Sequence, residues 1–285
     1  MKIAKSCPVC LSKKISKKAA ILMPFIANKV FDWEPVQINK EDNFKTLNNG
    51  TSYSVCNSIF CDNCSLLFLD IRFDNFEMKQ LYKDYRNDHY IKLRENYEPG
   101  YTERNNILSV QIHYMNLIED FIRENTGDNF KTLLDWGGES GINTPFLNKL
   151  SVNKFLYDIS RNKTIHNRIV SLDNIKNKKF DLITCLHVFE HLPYPLQALK
   201  KLSLNLNDNG YIYIEVPKES IMNENKIDKN ILNNKKHWHE HINFFSIKSL
   251  STLVKNAGLS LINIDDKNVT KDEFHLSIYQ LIAKK

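Results

Sequence analysis

The chain has 285 residues, of which 42% are apolar and 25% charged, with a formal net charge of +6. This ordinary globular composition excludes a disordered or fibrous chain. No run of roughly 18 apolar residues occurs, which excludes a membrane-spanning helix. The segment Met1–Cys7 lacks the apolar core of a signal peptide, so we expect a cytoplasmic protein. The lysines are spread along the chain, which indicates a solvated surface rather than a nucleic-acid footprint.

Most of the cysteines lie near the N-terminus, and four of them form two C-x-x-C pairs: Cys7 and Cys10, Cys61 and Cys64. In a reducing compartment paired thiols indicate metal binding rather than disulfides. Four thiolates form the closed tetrahedral shell of structural zinc. Residues 11–60 separate the two pairs, whereas the usual gap in such zinc sites is about 15–20 residues. We therefore expect residues 1–70 to form a small zinc-ribbon-like module with short internal strands, and Cys56 to be a buried or free thiol.

Residues 71–126 are rich in tyrosine, asparagine, arginine and glutamate, and we expect them to form a helical linker or lid. Apolar residues at helical spacing predict an amphipathic helix between Ile107 and Arg123. The tyrosines that precede it have two interpretations, a lid over an active-site pocket or simple packing against the next domain. They are Tyr82, Tyr85, Tyr90, Tyr97 and Tyr101.

Residues 127–285 show short apolar runs that alternate with helical patterns, which predicts βαβ units and a mostly parallel sheet. The expected strands are Thr132–Trp136, Lys154–Ile159, Ile169–Leu172, Phe180–Cys185, Tyr211–Val216, Leu259–Ile264 and Leu276–Ala283. The expected helices are Pro145–Lys149, Leu196–Asn205 and Ile247–Asn256. Ser246 is a good N-cap for the last helix, and Gly258 is a good C-terminal stop.

A glycine-rich turn follows the first predicted strand, where open α/β sheets bind their cofactors. Glycines at such a turn let the backbone approach a ligand closely. Asp158 ends the second predicted strand, where a carboxylate can bind both hydroxyls of a ribose. Asp173 follows the third predicted strand, where it could accept from an adenine amino group. The residues expected to bind the cofactor are Asp135, Gly137, Gly138, Gly141, Asp158 and Asp173.

A cluster of histidine and glutamate follows the fourth predicted strand. His187, Glu190 and His191 are spaced so that they share one face of a helical turn. His241 lies in the long loop after the fifth strand, and we expect it to face this cluster. Three roles stay open. In the first, one histidine is a general base for a substrate hydroxyl. In the second, all four residues bind a second divalent metal. In the third, Glu190 and His191 merely brace the loop.

Three strings resemble class I S-adenosyl-L-methionine (SAM)-dependent methyltransferases, in particular small bacterial ones with an N-terminal zinc-binding segment: HVFEHLPYP (187–195), GYIYIEVP (210–217) and HINFFS (241–246). The resemblance covers nearly the whole chain. It implies a Rossmann-like α/β fold, with a seven-stranded sheet whose last strand is antiparallel and with helices on both faces. It also implies that SAM lies over the glycine-rich turn and Asp158. One position departs from the family, because Glu139 replaces the usual third glycine; its side chain would crowd the methionine end of SAM or point into solvent.

The histidine turn also looks like the metal site of plant small-RNA 3′-terminal methyltransferases and ubiquinone-pathway O-methyltransferases, although His187 stands where they have a glutamate. Relatives with this zinc segment often act on nucleotide-linked sugars or surface-polysaccharide precursors. O-methylation of a small, hydroxyl-bearing, sugar-type substrate is therefore the leading hypothesis, by analogy. The alternatives are an RNA methyltransferase whose zinc module grips RNA, and a non-catalytic SAM-binding partner protein. No membrane contact is expected, and the oligomeric state is not indicated.

Overall fold

A computed structural model describes residues 1–42, 47–222, 228–271 and 274–285. The strands are β1 (Lys2–Ile3), β2 (Ile15–Leu22), β3 (Val36–Ile38), β4 (Gly50–Ser52), β5 (Val55–Cys61), β6 (Leu67–Leu69), β7 (Ile71–Arg72), β8 (Thr132–Trp136), β9 (Asn153–Tyr157), β10 (Ile169–Ser171), β11 (Phe180–Leu186), β12 (Leu206–Pro217), β13 (His237–Trp238), β14 (Asn243–Phe244), β15 (Ser260–Lys271) and β16 (Phe274–Lys284). The helices are α1 (Pro24–Phe31), α2 (Asn75–Leu81), α3 (Asp88–Tyr97), α4 (Tyr101–Leu108), α5 (Met115–Thr126), α6 (Pro195–Ser203) and α7 (Ile247–Asn256). Within the described ranges, no helix has the length and apolar character needed to cross a membrane.

The central sheet has seven strands in the order β10-β9-β8-β11-β12-β16-β15. The first five run parallel, and β16 is antiparallel to both of its neighbours, β12 and β15. All seven predicted strands are present, and β12, β15 and β16 extend beyond their predicted ends. The predicted Rossmann-like architecture with an antiparallel last strand is confirmed.

Helices cover both faces of this sheet. Leu133 and Leu134 are neighbours on β8 and point to opposite sides, because side chains alternate along a strand. Leu133 packs in a core with Ile118 of α5, whereas Leu134 packs in a core with Leu199 of α6 and Leu250 of α7. Burial on both faces is what the near-continuous apolar strands predict.

The helix predicted at Pro145–Lys149 is wrong, because these residues form successive turns. Phe146 has a φ of +57°, and a right-handed helix cannot continue through that conformation. Its N–H donates to Glu119 of α5 at 2.6 Å, and its ring packs against Phe130 with centroids 4.9 Å apart. The apolar residues of this segment therefore cover the sheet from a turn rather than from a helix.

The amphipathic helix predicted within Ile107–Arg123 is also corrected, since α4 ends and α5 begins inside that span. The residues between the two helices are fixed by other bonds. The N–H of Ile112 donates to the side chain of Asn143 at 3.0 Å, and the hydroxyl of Tyr114 bonds with His187, just after β11, and with Glu215 on β12. Val110 is consequently 60% exposed. The helical spacing holds only for the C-terminal part, α5.

The helix predicted at Ile247–Asn256 is confirmed as α7, with the predicted signals at both ends. The hydroxyl of Ser246 accepts from the N–H of Ser249, and the hydroxyl of Ser249 accepts from the N–H of Ser246, which forms a capping box. Gly258 follows the helix with a φ of +81°. α6 starts one residue before and ends two residues before its predicted bounds.

A second sheet has five strands in the order β13-β2-β5-β6-β14. Three of its strands come from the N-terminal region, but β13 and β14 come from residues 237–244. The loop that carries His241 lies between these two edge strands, so the sheet ties this loop to the cysteine region. The division into residues 1–70, 71–126 and 127–285 stays a prediction, and the shared sheet joins the first and third of these segments.

Candidate active site and cysteine centre

The four predicted zinc ligands come together. The Sγ of Cys7 lies 3.5 Å from that of Cys64, and the Sγ of Cys10 lies 3.4 Å from that of Cys61. All four sulfur atoms are within 4.8 Å of one another. A tetrahedral zinc with bonds of about 2.3 Å places its sulfurs about 3.8 Å apart. The four thiols therefore fit a structural zinc ion.

Both C-x-x-C pairs adopt the same turn. The N–H of Leu11 donates to the carbonyl of Cys7, and the N–H of Ser65 donates to the carbonyl of Cys61. Leu11 and Ser65 have φ values of +61° and +60°, which is unfavourable for a residue with a Cβ. Because the same unfavourable conformation occurs in both pairs, we infer that it serves the same purpose in each, namely to orient the two sulfur atoms of the pair. Cys56 is a buried thiol on β5, outside this group.

The glycine-rich turn follows β8 and has little free space around two of its glycines. Gly137 and Gly141 have φ values of +85° and +83°. A Cβ on Gly137 would lie 2.6 Å from the side chain of Val188, and one on Gly141 would lie 2.7 Å from Ile169. Both positions therefore require glycine for its conformation and for its lack of a side chain.

Asp135 supports this turn from inside the protein. Its side chain accepts hydrogen bonds from the hydroxyls of Thr144 at 2.6 Å and Thr184 at 3.3 Å. A Cβ on Gly138 would come within 2.1 Å of the Asp135 carboxylate. Burial raises the pKa of Asp135 to about 7. The carboxylate is thus bound within the turn, and Gly138 makes room for it.

Asp158 follows β9 and closes the opposite side of the turn. Its two oxygens accept from the N–H of Glu139 at 2.9 Å and from that of Ser160 at 2.7 Å. The structure therefore brings five of the six predicted cofactor residues together around the carboxyl ends of β8 and β9. The sixth, Asp173, follows β10 on the same edge of the sheet and is exposed.

His187 directly follows β11 and lies between two glutamates. Its Nε2 is 3.0 Å from Oε1 of Glu215 and 3.0 Å from the hydroxyl of Tyr114, and its Nδ1 is 3.6 Å from Oε1 of Glu190. Burial alone would lower the pKa of His187, but its contacts with Glu190 and Glu215 raise it to about 10. At neutral pH His187 is therefore protonated and cannot accept a further proton.

Glu190, His191 and His241 face one another beyond β11. Glu190 is 1% exposed, and in the described part of the chain neither of its carboxylate oxygens has a hydrogen-bond partner. Nε2 of His191 is 3.7 Å from Glu190, and the rings of His191 and His241 are 4.7 Å apart. Ligand atoms of these three residues lie within 4.8 Å of one another. His187, the fourth member of the predicted metal set, is outside this group.

The two facing histidines have different environments. Nδ1 of His191 lies 3.0 Å from the carbonyl oxygen of Glu240, so Nδ1 carries a proton and Nε2 keeps its lone pair. Burial lowers the pKa of His191 to about 4, which leaves the ring neutral. For His241, burial is opposed by the carboxylate of Glu219, 2.9 Å from Nδ1, and the pKa is raised. Groups whose pKa values are pushed apart in this way are typical of acid–base sites.

The tyrosine-rich residues 82–101, which we name the strap, run along the carboxyl edge of the central sheet. At one end the guanidinium of Arg86 lies 3.1 Å from the carboxylate of Glu139 in the glycine-rich turn. At the other end Arg94 donates to both carboxylate oxygens of Glu240, at 2.8 and 3.0 Å. The strap therefore contacts both the glycine-rich turn and the histidine loop.

A buried arginine joins the two histidine loops to the N-terminal region. Arg72, on β7, is 2% exposed and donates to the carbonyls of Leu69, Pro193 and Ile242 and to the side-chain oxygen of Asn243. The amide of Asn243 in turn donates to carbonyls of the turn that carries Glu190 and His191. This network fixes the His191 turn relative to the His241 loop.

Several residues of this site were not expected from the sequence: Tyr114, Glu215, Glu219, Glu240, Arg86 and Arg94. A usable signal existed for Glu215, the one charged residue in the string GYIYIEVP. A lone carboxylate in a strand buried on both faces needs a partner. Tyr213, in the same string, is one partner of Glu215, but the other two, His187 and Tyr114, are distant in sequence.

The strand order, the antiparallel β16 and the glycine-rich turn after β8 are those of an α/β methyltransferase fold. A methyltransferase-domain family model matches residues 111–264, which are 154 of the 285 residues. The chain belongs to this family, and it is a class I SAM-dependent methyltransferase.

Several solved structures of low sequence identity are similar to the chain. One is the Burkholderia thailandensis 1,6-didemethyltoxoflavin N1-methyltransferase, with bound 1,6-didemethyltoxoflavin and S-adenosylhomocysteine; it is 13% identical, the match covers 78% of this chain and 95% of that one, and the TM-score is 0.51. The plantazolicin methyltransferase, in complex with a pentazolic desmethyl analogue and S-adenosylhomocysteine, is 13% identical over 73% and 94% of the two chains, with a TM-score of 0.46. A SAM-dependent methyltransferase from Methanosarcina mazei is 14% identical over 57% and 96%, with a TM-score of 0.41. No curated protein sequence matches the chain.

Proposed function

We propose that the protein transfers the methyl group of SAM to a hydroxyl of a small molecule, of the class of nucleotide-linked sugars or surface-polysaccharide precursors. The supporting observation is the free Nε2 of His191 beside the buried carboxylate of Glu190, at the end of the strand next to the glycine-rich turn. SAM supplies an electrophilic methyl group. The protein must then hold the acceptor in line and remove its proton.

The proposed cofactor site lies over the glycine-rich turn. SAM lies over the backbone of Gly137, Gly138 and Gly141, Asp158 binds the ribose hydroxyls, and Asp173 accepts from the adenine amino group. Asp135 supports this site without contacting SAM, because its carboxylate accepts hydrogen bonds from Thr144 and Thr184 and stabilises the turn.

In the proposed reaction, His191 accepts the proton of the substrate hydroxyl on Nε2. The bond from its Nδ1 to the carbonyl of Glu240 fixes the tautomer that leaves Nε2 free. Glu190 stabilises the imidazolium that results, since its carboxylate lies 3.7 Å from Nε2 of His191 and, within the described residues, accepts no hydrogen bond. His241, held by Glu219, orients the substrate hydroxyl. We assign the base to His191 rather than to His187, because the contacts of His187 with Glu190 and Glu215 raise its pKa and favour the protonated ring.

A second mechanism is favoured by the carboxylate of Glu190, which within the described residues accepts no hydrogen bond. A divalent metal bound by Glu190, His191 and His241 would bring positive charge to this buried carboxylate, and the three ligand atoms are close enough to share one ion. Such an ion would lower the pKa of a bound hydroxyl so that its proton passes to solvent water, and His191, as a ligand, would not act as the base.

A panel of acceptors tests the proposal. The protein is incubated with SAM and with nucleotide-linked sugars, glycosides or RNA, and both S-adenosylhomocysteine and the methylated product are measured. We expect an O-methylated small molecule, and we expect His191→Ala to lower kcat by about a hundredfold or more while SAM affinity is kept. His89→Ala, an exposed histidine on α3, is the matched control.

Methylation of RNA alone, or a product methylated on nitrogen or carbon, would contradict the proposal. Chelator treatment separates the two mechanisms, provided that the cysteine-bound zinc is measured alongside. Activity that is lost while zinc stays bound, and that magnesium or manganese restores, would establish the metal mechanism in place of the free base.

A further inference from the structure

The side chain of Glu139 takes neither of the two directions that the sequence suggests. It points at the strap, where its Oε2 lies 3.1 Å from Nη1 of Arg86. The two side chains are only 24% and 18% exposed. Both residues also have left-handed backbones, with φ values of +53° and +61°. A residue with a Cβ keeps this conformation only where its surroundings hold it. The backbone of the strap and that of the glycine-rich turn therefore both position this ion pair.

The surroundings of this ion pair belong to the proposed SAM site. The backbone N–H of Glu139 donates to Asp158, the residue proposed to bind the ribose. A second contact joins the same two segments, since the side-chain amide of Asn162, after β9, lies 3.5 Å from the carbonyl oxygen of Tyr85 on the strap. The strap is therefore fastened to the loops after β8 and β9, between which the cofactor is placed.

The two ends of the strap are held with different strength. At the histidine end, Arg94 is 5% exposed and binds Glu240 with two hydrogen bonds. The strap is also anchored near this end by the ring of Tyr90, which is buried and packs against Phe25 of α1 at 5.3 Å. The Arg86–Glu139 pair is more exposed than the Arg94–Glu240 pair, at 18% and 24% against 5% and 19%. An ion pair is weaker where it is more exposed to solvent, so we expect the strap to open first at Arg86.

We infer that Arg86 and Glu139 are positioning residues that hold the strap closed over the cofactor, so that SAM enters and S-adenosylhomocysteine leaves when this ion pair opens. The inference rests on the proposed placement of SAM over the glycine-rich turn. It gives the departure from the family pattern at Glu139 a role, namely the anchor of a lid whose moving part is the Arg86 end.

Binding kinetics of S-adenosylhomocysteine test the inference without any acceptor. Trp136, at the end of β8 beside the turn, provides a fluorescence signal for stopped-flow mixing with the full chain. We expect Arg86→Gln and Glu139→Gln each to raise the association and dissociation rates by about three- to fivefold, as for loss of a partly exposed ion pair. The affinity should change less than either rate. The double variant should match the single ones, because the residues act as a unit.

Arg123→Gln is the control, since it breaks ion pairs on α5 and should leave both rates unchanged. Hydrogen exchange of the strap in the unliganded protein is the second measurement, and it should become faster in both single variants. Rates and exchange equal to those of the wild type, or effects that add in the double variant, would overturn the inference. If S-adenosylhomocysteine does not bind the wild type at all, the proposed cofactor site is wrong, and unchanged exchange would then refute closure by the ion pair separately.

Discussion

Replacement of Arg72 by methionine should destabilise the protein by about 3 kcal/mol. Methionine keeps the apolar stem but removes the donors to three oxygens that lie next to the histidine loops, on Leu69, Pro193 and Asn243. A buried oxygen left without a donor costs about 1–3 kcal/mol. The carbonyl of Ile242 is not counted, because it also accepts from a backbone N–H at 3.1 Å.

Part of this loss is offset by removal of a buried charge. The hydrogen bonds of Arg72 go to uncharged oxygens. Burial lowers its pKa to about 9, which shows that the charged form is disfavoured there. Replacement of buried ions by apolar side chains is sometimes stabilising for this reason. The expected loss therefore lies at the low end of the range that three unsatisfied oxygens would give.

Urea unfolding of zinc-loaded protein measures the effect. Arg123→Met is the control, because it removes an arginine of α5 whose side chain is 42% exposed, and it should change the free energy of unfolding by less than about 1 kcal/mol. The loss of unfolding free energy in Arg72→Lys should lie between those of Arg72→Met and Arg123→Met, since an ammonium keeps the charge but not the planar set of donors of a guanidinium. An Arg72→Met variant as stable as the wild type would refute the view that this network holds the histidine loops together.

Three further predictions concern the cysteines, the cofactor site and the glycine-rich turn. Cys61→Ser should lose the bound zinc and most of its solubility, whereas Cys56→Ser should keep the metal; elemental analysis that finds full zinc in soluble Cys61→Ser would contradict the ligand set. Asp158→Ala should weaken SAM binding by about 2–3 kcal/mol, since charge-assisted bonds are lost, and calorimetry that finds equal affinity would count against the proposed site. Gly137→Ala should destabilise the fold by about 2 kcal/mol more than Gly127→Ala in urea unfolding; both have positive φ, but a Cβ would collide with Val188 only at Gly137, so equal losses would disprove the steric argument.

The sequence predicts those parts of the protein whose signals are local. Each strand of the central sheet is a short apolar run between turn residues, and α7 carries its cap and its stop beside it in sequence. The C-x-x-C pairs are local too, because one tight turn orients two sulfur atoms. The spacing of Glu190 and His191 likewise places both on one short turn after β11, and this turn is a 3₁₀ helix in the structure.

The parts that the sequence does not predict depend on contacts between distant residues. Nothing near residue 145 indicates that Phe146 bonds with Glu119, so the apolar run there looks helical although it forms turns. The Arg86–Glu139 pair joins residues 53 positions apart, and the hydrogen bond from Arg72 to Asn243 spans 171 positions. Such pairs lack periodicity, and a charged residue in one segment gives no hint of which segment it meets.

The shared five-stranded sheet has a consequence for the order in which the chain folds. β2 and β6 are its next-to-edge strands, and both outer neighbours, β13 and β14, leave the ribosome only after residue 236. During synthesis the outer backbone edges of β2 and β6 should therefore stay unpaired until β13 and β14 have been made, although N-terminal units usually fold first. Exposed edges of this kind promote association with other chains. A nascent chain that ends before β13 should accordingly depend on chaperones, and a fragment cut near residue 70 should not hold its sheet when grafted onto another enzyme.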